Sequence, residues 1–224
     1  LFNEGYNSGN KDNLIRKDLC EEAIRLAIML TESKYIAQPK CYALLSLMCM
    51  LAARFDSRLS PEGEIILLAE QDRSIWSKEL IDIGLDYLNR SSAGDEITDY
   101  HIEAAIAAEH CIAPKFSDTN WKRILVLYDM LKNVNASPVV LLNRAIVIGK
   151  IDGAKKALEE IKKIPELEKY LKSNYLFSAV LGEVYFQLND FQQAQIHFES
   201  ALKLTKSDAE KKLIEKKIKR LSRY

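Results

Sequence analysis

Apolar residues recur at helical spacing through most of this chain, and one segment breaks the rhythm. Over 17–32, Leu19, Ala23, Leu26, Ala27 and Leu30 fall on one stripe, the pattern of an amphipathic helix. Pro39 sits where a first helical turn accepts it, and a more buried helix is predicted over 40–55 with Tyr42, Leu45, Met48, Cys49 and Ala52 inward. A third, over 77–91, keeps the period through Leu80, Ile81, Gly84, Leu85 and Leu88. Thr98 and Asp99 can cap an alanine-rich helix at 99–112. Asp118 or Thr119 is the expected cap of the next, with Trp121, Ile124, Leu125, Tyr128 and Leu131 on one face. Ser137-Pro138 is a strong start signal for a helix over 138–150.

The break comes at 64–76. The apolar run Ile65 to Leu68 is followed by Glu70, Gln71, Asp72, Arg73 and Ser74, and Trp76 stands just ahead of the next helix. Such polar groups must be hydrogen-bonded or exposed, because burying them unpaired is costly. Two readings stand side by side. In one, Asp72 and Arg73 satisfy open backbone where two helices change direction, with Trp76 plugging the gap. In the other, the loop is a recognition element whose guanidinium and carboxylate engage another domain. Asn143-Arg144 raises a related question, since an arginine inside an apolar helix needs a partner; Asp72 or Glu4 is the expected one.

Beyond 136 the pattern becomes repetitive. Residues 175–206 carry Leu181-Gly182, Tyr185, Ala194, Phe198 and Ala201 at the offsets of a tetratricopeptide helix-turn-helix unit, which needs small residues where two helices touch and large ones where they interlock. A degenerate copy lies one period earlier, with Ala145 matching Gly182 and Ala157 matching Ala194. The helix expected near 208–222 places Leu213, Ile214, Ile218 and Leu221 on one face and lysines elsewhere, as a solenoid cap would. Its basic block, Lys211 to Arg223, reads first as a solvated face because Glu210 and Glu215 lie within it. The expectation is an all-α protein of about ten helices in antiparallel pairs. It has a tetratricopeptide-like right-handed superhelix at its C-terminal end and one irregular loop around 57–76. Residues 1–135 form a helical region of their own kind, and 136–224 pack onto it as one continuous unit.

Charge narrows the partners. Lys+Arg and Asp+Glu both number 32, so the chain as a whole is not built to hold a polyanion. There is no long apolar run and no leader pattern, and the 4 cysteines lack paired spacing, which together predict a cytoplasmic location with reduced thiols and no membrane partner. The opening Leu1-Phe2-Asn3-Glu4-Gly5-Tyr6 reads as the middle of a packed motif, so a portion of a longer protein is expected. Catalytic chemistry finds little footing. His101 and His110 lie nine positions apart on one helix and diverge, His110 and Cys111 point apart as neighbours do, and His197 is expected at the surface. No nucleotide, zinc or hydrolase motif occurs, so no enzyme, no cofactor and no metal is predicted.

Six blocks recur in order: Leu1–Tyr6, Asp18–Leu26, Glu70-Gln71-Asp72-Arg73-Ser74-x-Trp76, Ala104–His110, Ala113-Pro114 to Trp121, and Ser137–Ala145. Together they resemble the C-terminal extension of a group of extracytoplasmic-function sigma factors that carry a tetratricopeptide-like domain after their DNA-binding regions. The resemblance implies a regulatory domain of an RNA polymerase sigma subunit. Such a domain would dock onto its own sigma regions or core polymerase, and promoter DNA would be read only by segments upstream of Leu1. It also implies that Gln71, Asp72, Arg73 and Ser74 carry the extension's activity, supported by Trp76 and by Asn3, Glu4 and Tyr6. Glu70 departs from the aspartate usual in that block. Asn143 and Arg144 complete the candidate partner-binding set. The residues alone leave two rivals: a free-standing tetratricopeptide adaptor for a peptide or protein, and a small-molecule-responsive sensor or enzyme using the pocket beneath Trp76.

Overall fold

The computed structural model describes residues 1–7, 15–33 and 38–222. Among them the chain forms twelve α-helices and no strand, only an isolated antiparallel bridge between Leu59 and Ile65. No helix among the described residues is long and apolar enough to cross a membrane. The chain divides into two units, Leu1–Val134 and Asn135–Tyr224.

The first unit holds α1 (Phe2–Tyr6), α2 (Lys17–Glu32), α3 (Pro39–Ala52), α4 (Lys78–Ser91), α5 (Asp99–Ile112) and α6 (Trp121–Val134). α3 is apolar nearly all round and accordingly lies among α2, α4 and α5, with Leu45 and Met50 fully buried. Ser46, the polar exception inside it, donates its hydroxyl to the Gly84 carbonyl at 2.7 Å. A Cβ on Gly84 would stand 2.8 Å from Met50 Cγ, so the bare backbone there permits the close α3–α4 approach.

α2 forms over the predicted span and buries Ala23 and Ala27 of the predicted stripe, but turns its Leu26 and Leu30 outward. Cys20, Ala23, Ala27 and Thr31 are buried, whereas Leu26 and Leu30 are 43% and 40% exposed. Close approach constrains the start of this face, at Cys20. A Cβ at Gly5 of α1 would fall 2.6 Å from Cys20 Sγ, leaving room only for small side chains at that seam. Two further expectations are corrected. α3 stops at Ala52, where Ala53 N–H donates to the Cys49 carbonyl and the chain tightens into a 3₁₀ turn at Phe55–Ser57. α6 is capped by Asn120, whose Oδ1 accepts from Arg123 N–H at 3.1 Å, rather than by Asp118 or Thr119.

His101 secures the start of α5. Its Nδ1 accepts from Thr98 N–H at 3.2 Å and lies 2.8 Å from Thr98 Oγ1, while Nε2 is 3.2 Å from the Ser91 carbonyl. A neutral ring protonated at Nε2 satisfies all three contacts, a reciprocal cap with histidine in the role usually held by glutamate.

The second unit holds α7 (Pro138–Asp152), α8 (Ala154–Ile161), α9 (Leu167–Ser173), α10 (Tyr175–Gln187), α11 (Phe191–Leu204) and α12 (Asp208–Leu221). Short links make hairpins of α7–α8 and α10–α11. The side chains of Ser137, Asn174, Asp190 and Ser207 each accept from a first-turn backbone N–H, of Val140, Leu176, Gln193 and Glu210. The small-against-large interlock read from the sequence is present: a Cβ on Gly182 would lie 2.6 Å from two ring carbons of Phe198. Ala194 and Ala201 are fully buried beside that ring. In the earlier hairpin Ala145, Ala157 and Ile161 share a core with Phe177 and Leu181. Burying Phe177 and Phe198 completely contributes roughly 1.5–3 kcal/mol each.

α9 has no counterpart in the periodicity reading. Tyr170 on it stacks on Phe177 with centroids 5.1 Å apart. His197 is half-buried rather than a surface residue, stacked nearly parallel on Tyr185 at 5.3 Å. The basic face of α12 is only partly solvated: Lys217 is ion-paired with Glu183, and Arg220 lies 4.1 Å over the Phe186 ring. Arg223 lies outside the described residues.

Candidate functional site

The connection from α3 to α4 is the irregular element that the sequence singled out, and its physical extent is 53–77. Ser77 N–H donates to the Ala53 carbonyl at 2.9 Å, closing the neck of the loop. Inside, Ile66 N–H meets the Arg58 carbonyl and Ser60 N–H meets Glu64 at 2.9 Å each, around a turn where Gly63 takes φ +76°. The second half winds into a 3₁₀ turn, Arg73–Ile75, before α4.

The candidate residues divide by direction. Asp72 is exposed and caps the 3₁₀ turn, accepting from Ser74 N–H at 2.9 Å and from Ser74 Oγ at 2.7 Å. Those bonds hold its carboxyl below the usual carboxylate range. Ile75 beside it is 49% exposed. Gln71 turns inward: its Oε1 accepts from Arg54 Nε and Ser57 Oγ at 3.2 and 3.3 Å, and its Nε2 donates to the Ile66 carbonyl.

Arg73 also turns inward. Its Nη1 donates to the carbonyls of His110 and Ala113, both at 2.6 Å, which are open acceptors at the C-terminal end of α5. A guanidinium there meets the negative end of the helix as well. Nη2 reaches Thr119 Oγ1 at 3.5 Å, so the side chain spans α5 and the turn ahead of α6. Burial lowers the Arg73 pKa from its ordinary value. Trp76 is 4% exposed, with the Arg73 guanidinium 4.8 Å and that of Arg54 5.3 Å from its ring centroid. Three buried nitrogens around this point have no hydrogen-bond partner among the described residues: Arg73 Nε, Trp76 Nε1 and His110 Nδ1.

His110 packs edge-on against Trp121 at 5.5 Å. Burial first, then the charges of Arg54 and Arg73, pushes its imidazole down to about 4, so it is neutral at pH 7. Cys111 next to it points away and contacts the Met50 carbonyl, and burial pushes its thiol up to about 11. The two side chains form no nucleophile–base pair. Among the described residues no group of three or more His, Cys, Asp and Glu could hold a metal ion.

Of the N-terminal candidates, Tyr6 is tied to the same loop. Arg58 donates to the Tyr6 carbonyl at 2.7 Å and to Asn7 Oδ1 at 3.0 Å, and its guanidinium lies 3.7 Å over the Tyr6 ring. Asn3 and Glu4 are exposed on α1. Asn143 and Arg144 belong to α7 in the second unit. Arg144 pairs with Glu160 at 3.0 Å, a partner the sequence reading did not nominate in place of Asp72 or Glu4. Arg54 and Arg58 were missed as well. Arg54 was hidden by the long 40–55 helix assignment, and Arg58 lay inside the expected 57–76 loop with no pattern to distinguish it.

Residues 1–92 match a family described as a family of unknown function, DUF6596. The chain is 32% identical over 210 residues to an uncharacterized protein of Rhizobium meliloti (strain 1021), an alignment covering 94% of this chain and 49% of the relative. The chain therefore spans about half the length of the curated relative it matches. No solved structure matches it.

Proposed function

We propose that this chain is a non-catalytic docking region of a sigma subunit of RNA polymerase, acting through the 53–77 connection on the sigma regions or on core polymerase. The observation that carries the reading is the division of labour along residues 71–76. Gln71 braces the connection from within, Arg73 fastens it to the end of α5 and Trp76 is buried, while Asp72, Ser74 and Ile75 stand on its outer side. A loop braced within itself and clasped to α5 presents its exposed carboxylate and isoleucine with little ordering left to do on binding. The ordered resemblance blocks supply the sigma context, and Arg58 ties Tyr6 of the N-terminal block to the same connection.

The test is promoter-directed transcription by the full-length protein with core polymerase, comparing wild type with Asp72→Ala/Ile75→Ala. Transcription should change at least several-fold, up or down, with the helical signal intact. Unchanged transcription would remove the loop from the mechanism. A second reading, an adaptor that captures a peptide, draws on the Gly182–Phe198 interlock of α10–α11. It predicts that changes on the α7–α12 hairpins, and not at Asp72, abolish partner capture.

A further inference from the structure

The neutral total conceals a segregation of charge. Residues 1–134 hold 15 Lys+Arg against 21 Asp+Glu, whereas residues 135–224 hold 17 against 11. The first unit is acidic and the second basic by the same margin, so the neutrality of the whole says little about what either unit attracts.

α12 brings this excess to the surface. It carries 6 cations and 3 carboxylates. Glu210 is taken up by Tyr175 and Thr205, Asp208 pairs with Lys211 at 3.0 Å, and Lys217 pairs with Glu183 of α10. Lys212, Lys216, Lys219 and Arg220 are exposed, and so is the remaining carboxylate, Glu215. Lys212, Lys216 and Lys219 follow one another at i, i+4 and i+7 and share one side of the helix. Arg220 lies beside them, and Glu215 falls at the margin of the stripe. On adjoining α11, exposed Glu199 accepts from Gln195 Nε2 at 2.8 Å.

The composition of the stripe selects its partner. None of the exposed large apolar side chains among the described residues belongs to α12. A protein partner draws its affinity from apolar or aromatic anchors at the centre of the interface, and this face offers none. A nucleic-acid backbone asks chiefly for cations, through contacts that are polar and strongly positive. Lysine ammonium groups on flexible stems meet phosphates as point charges, and such contacts carry no sequence information.

We propose that the outer face of α12, through Lys212, Lys216 and Lys219, binds the phosphate backbone of duplex DNA without regard to sequence. This surface is separate from the 53–77 connection and does not depend on the docking role assigned to it.

The test is fluorescence anisotropy of the full chain with labelled duplexes of two unrelated sequences, each about 20 base pairs, at salt concentrations from about 50 to 200 mM. Three phosphate contacts predict a log–log slope of affinity against salt near −3, a weakening of about 40-fold over that range. Both duplexes should behave alike. Lys212→Gln/Lys216→Gln/Lys219→Gln should flatten the slope by about 3 while the helical signal stays in place. Lys78→Gln/Lys115→Gln/Lys122→Gln removes the same charge from the first unit and should leave the slope unchanged. Absence of saturable binding at the lowest salt, an unchanged slope in the α12 variant, or a preference for one sequence would each overturn the assignment. Equally tight binding of poly-glutamate or of phosphatidylserine vesicles would overturn it too, in favour of an acidic protein or a lipid surface. Only chain and duplex are present, so failure here is distinct from failure of the transcription experiment.

Discussion

Replacing Arg73 with alanine removes the clasp between the 3₁₀ turn and the end of α5. Two bonds of 2.6 Å are lost, to His110 and Ala113, with the cation stacked on Trp76. Bonds to a charged donor are worth roughly 1.5–3 kcal/mol each, and the stack about 0.5–2 kcal/mol. The freed carbonyls lie at a helix end and regain water, and losses at one residue do not add, so a net destabilisation of about 2–4 kcal/mol is expected. For a chain of this size that corresponds to roughly 4–16 °C in the unfolding midpoint. Urea and thermal unfolding followed by circular dichroism measure the global loss. Hydrogen exchange at residues 109–113 measures it locally, where protection should fall before the rest of α5. Arg73→Lys can serve one carbonyl and should retain about half the stability. A variant within about 0.5 kcal/mol of wild type, with unchanged exchange in that turn, would refute the clasp.

Gly182→Ala should destabilise despite alanine's better helix propensity, because its Cβ would meet the buried Phe198 ring at 2.6 Å; a net loss of about 1–2 kcal/mol in urea unfolding is expected, and a gain would refute the interlock. His110, pushed down to about 4 when folded, resists a proton that the unfolded chain accepts near 6.5. Its contribution is therefore complete above the unfolded value and is lost as pH falls through 6.5 towards 4, about 2 kcal/mol by pH 5. His110→Asn should flatten that part of the pH profile, and an identical slope would disprove the assignment. Burial pushes the Cys49 and Cys111 thiols up to about 11, so iodoacetamide at pH 7.5 should alkylate half-exposed Cys41 well before either, as read by mass spectrometry.

Helix-forming stretches were legible because their periods are long and their caps conventional: 99–112 is α5 to the residue, and Ser137-Pro138 opens α7. The inward face of α2 was not. Hydrophobicity nominates Leu26 and Leu30, but the buried face runs through Cys20 and Ala23 at α1 and Ala27 at α3, and proximity of two backbones leaves no mark on a single helix. α9 is too short for its period to stand out from the loop around it. The importance of 71–76 could be read from its misfit with helix; the role of Arg73 could not be chosen. The carbonyls it serves lie 37 and 40 residues further along, beyond any local pattern. Arg144 failed for the opposite reason, since Glu160 is supplied by the adjoining helix and needs no distant carboxylate.

The hydrogen bond from Ser77 to Ala53 has a practical use for anyone wishing to watch this surface at work. With its neck stitched and its anchors confined to residues 54–58 and 71–76, the connection has a tip around Gly63 where an added Cβ would touch nothing within 4 Å. A cysteine–fluorophore or short peptide tag placed at exposed Glu62 would ride on the loop without entering either helix seam, giving an optical handle on docking events.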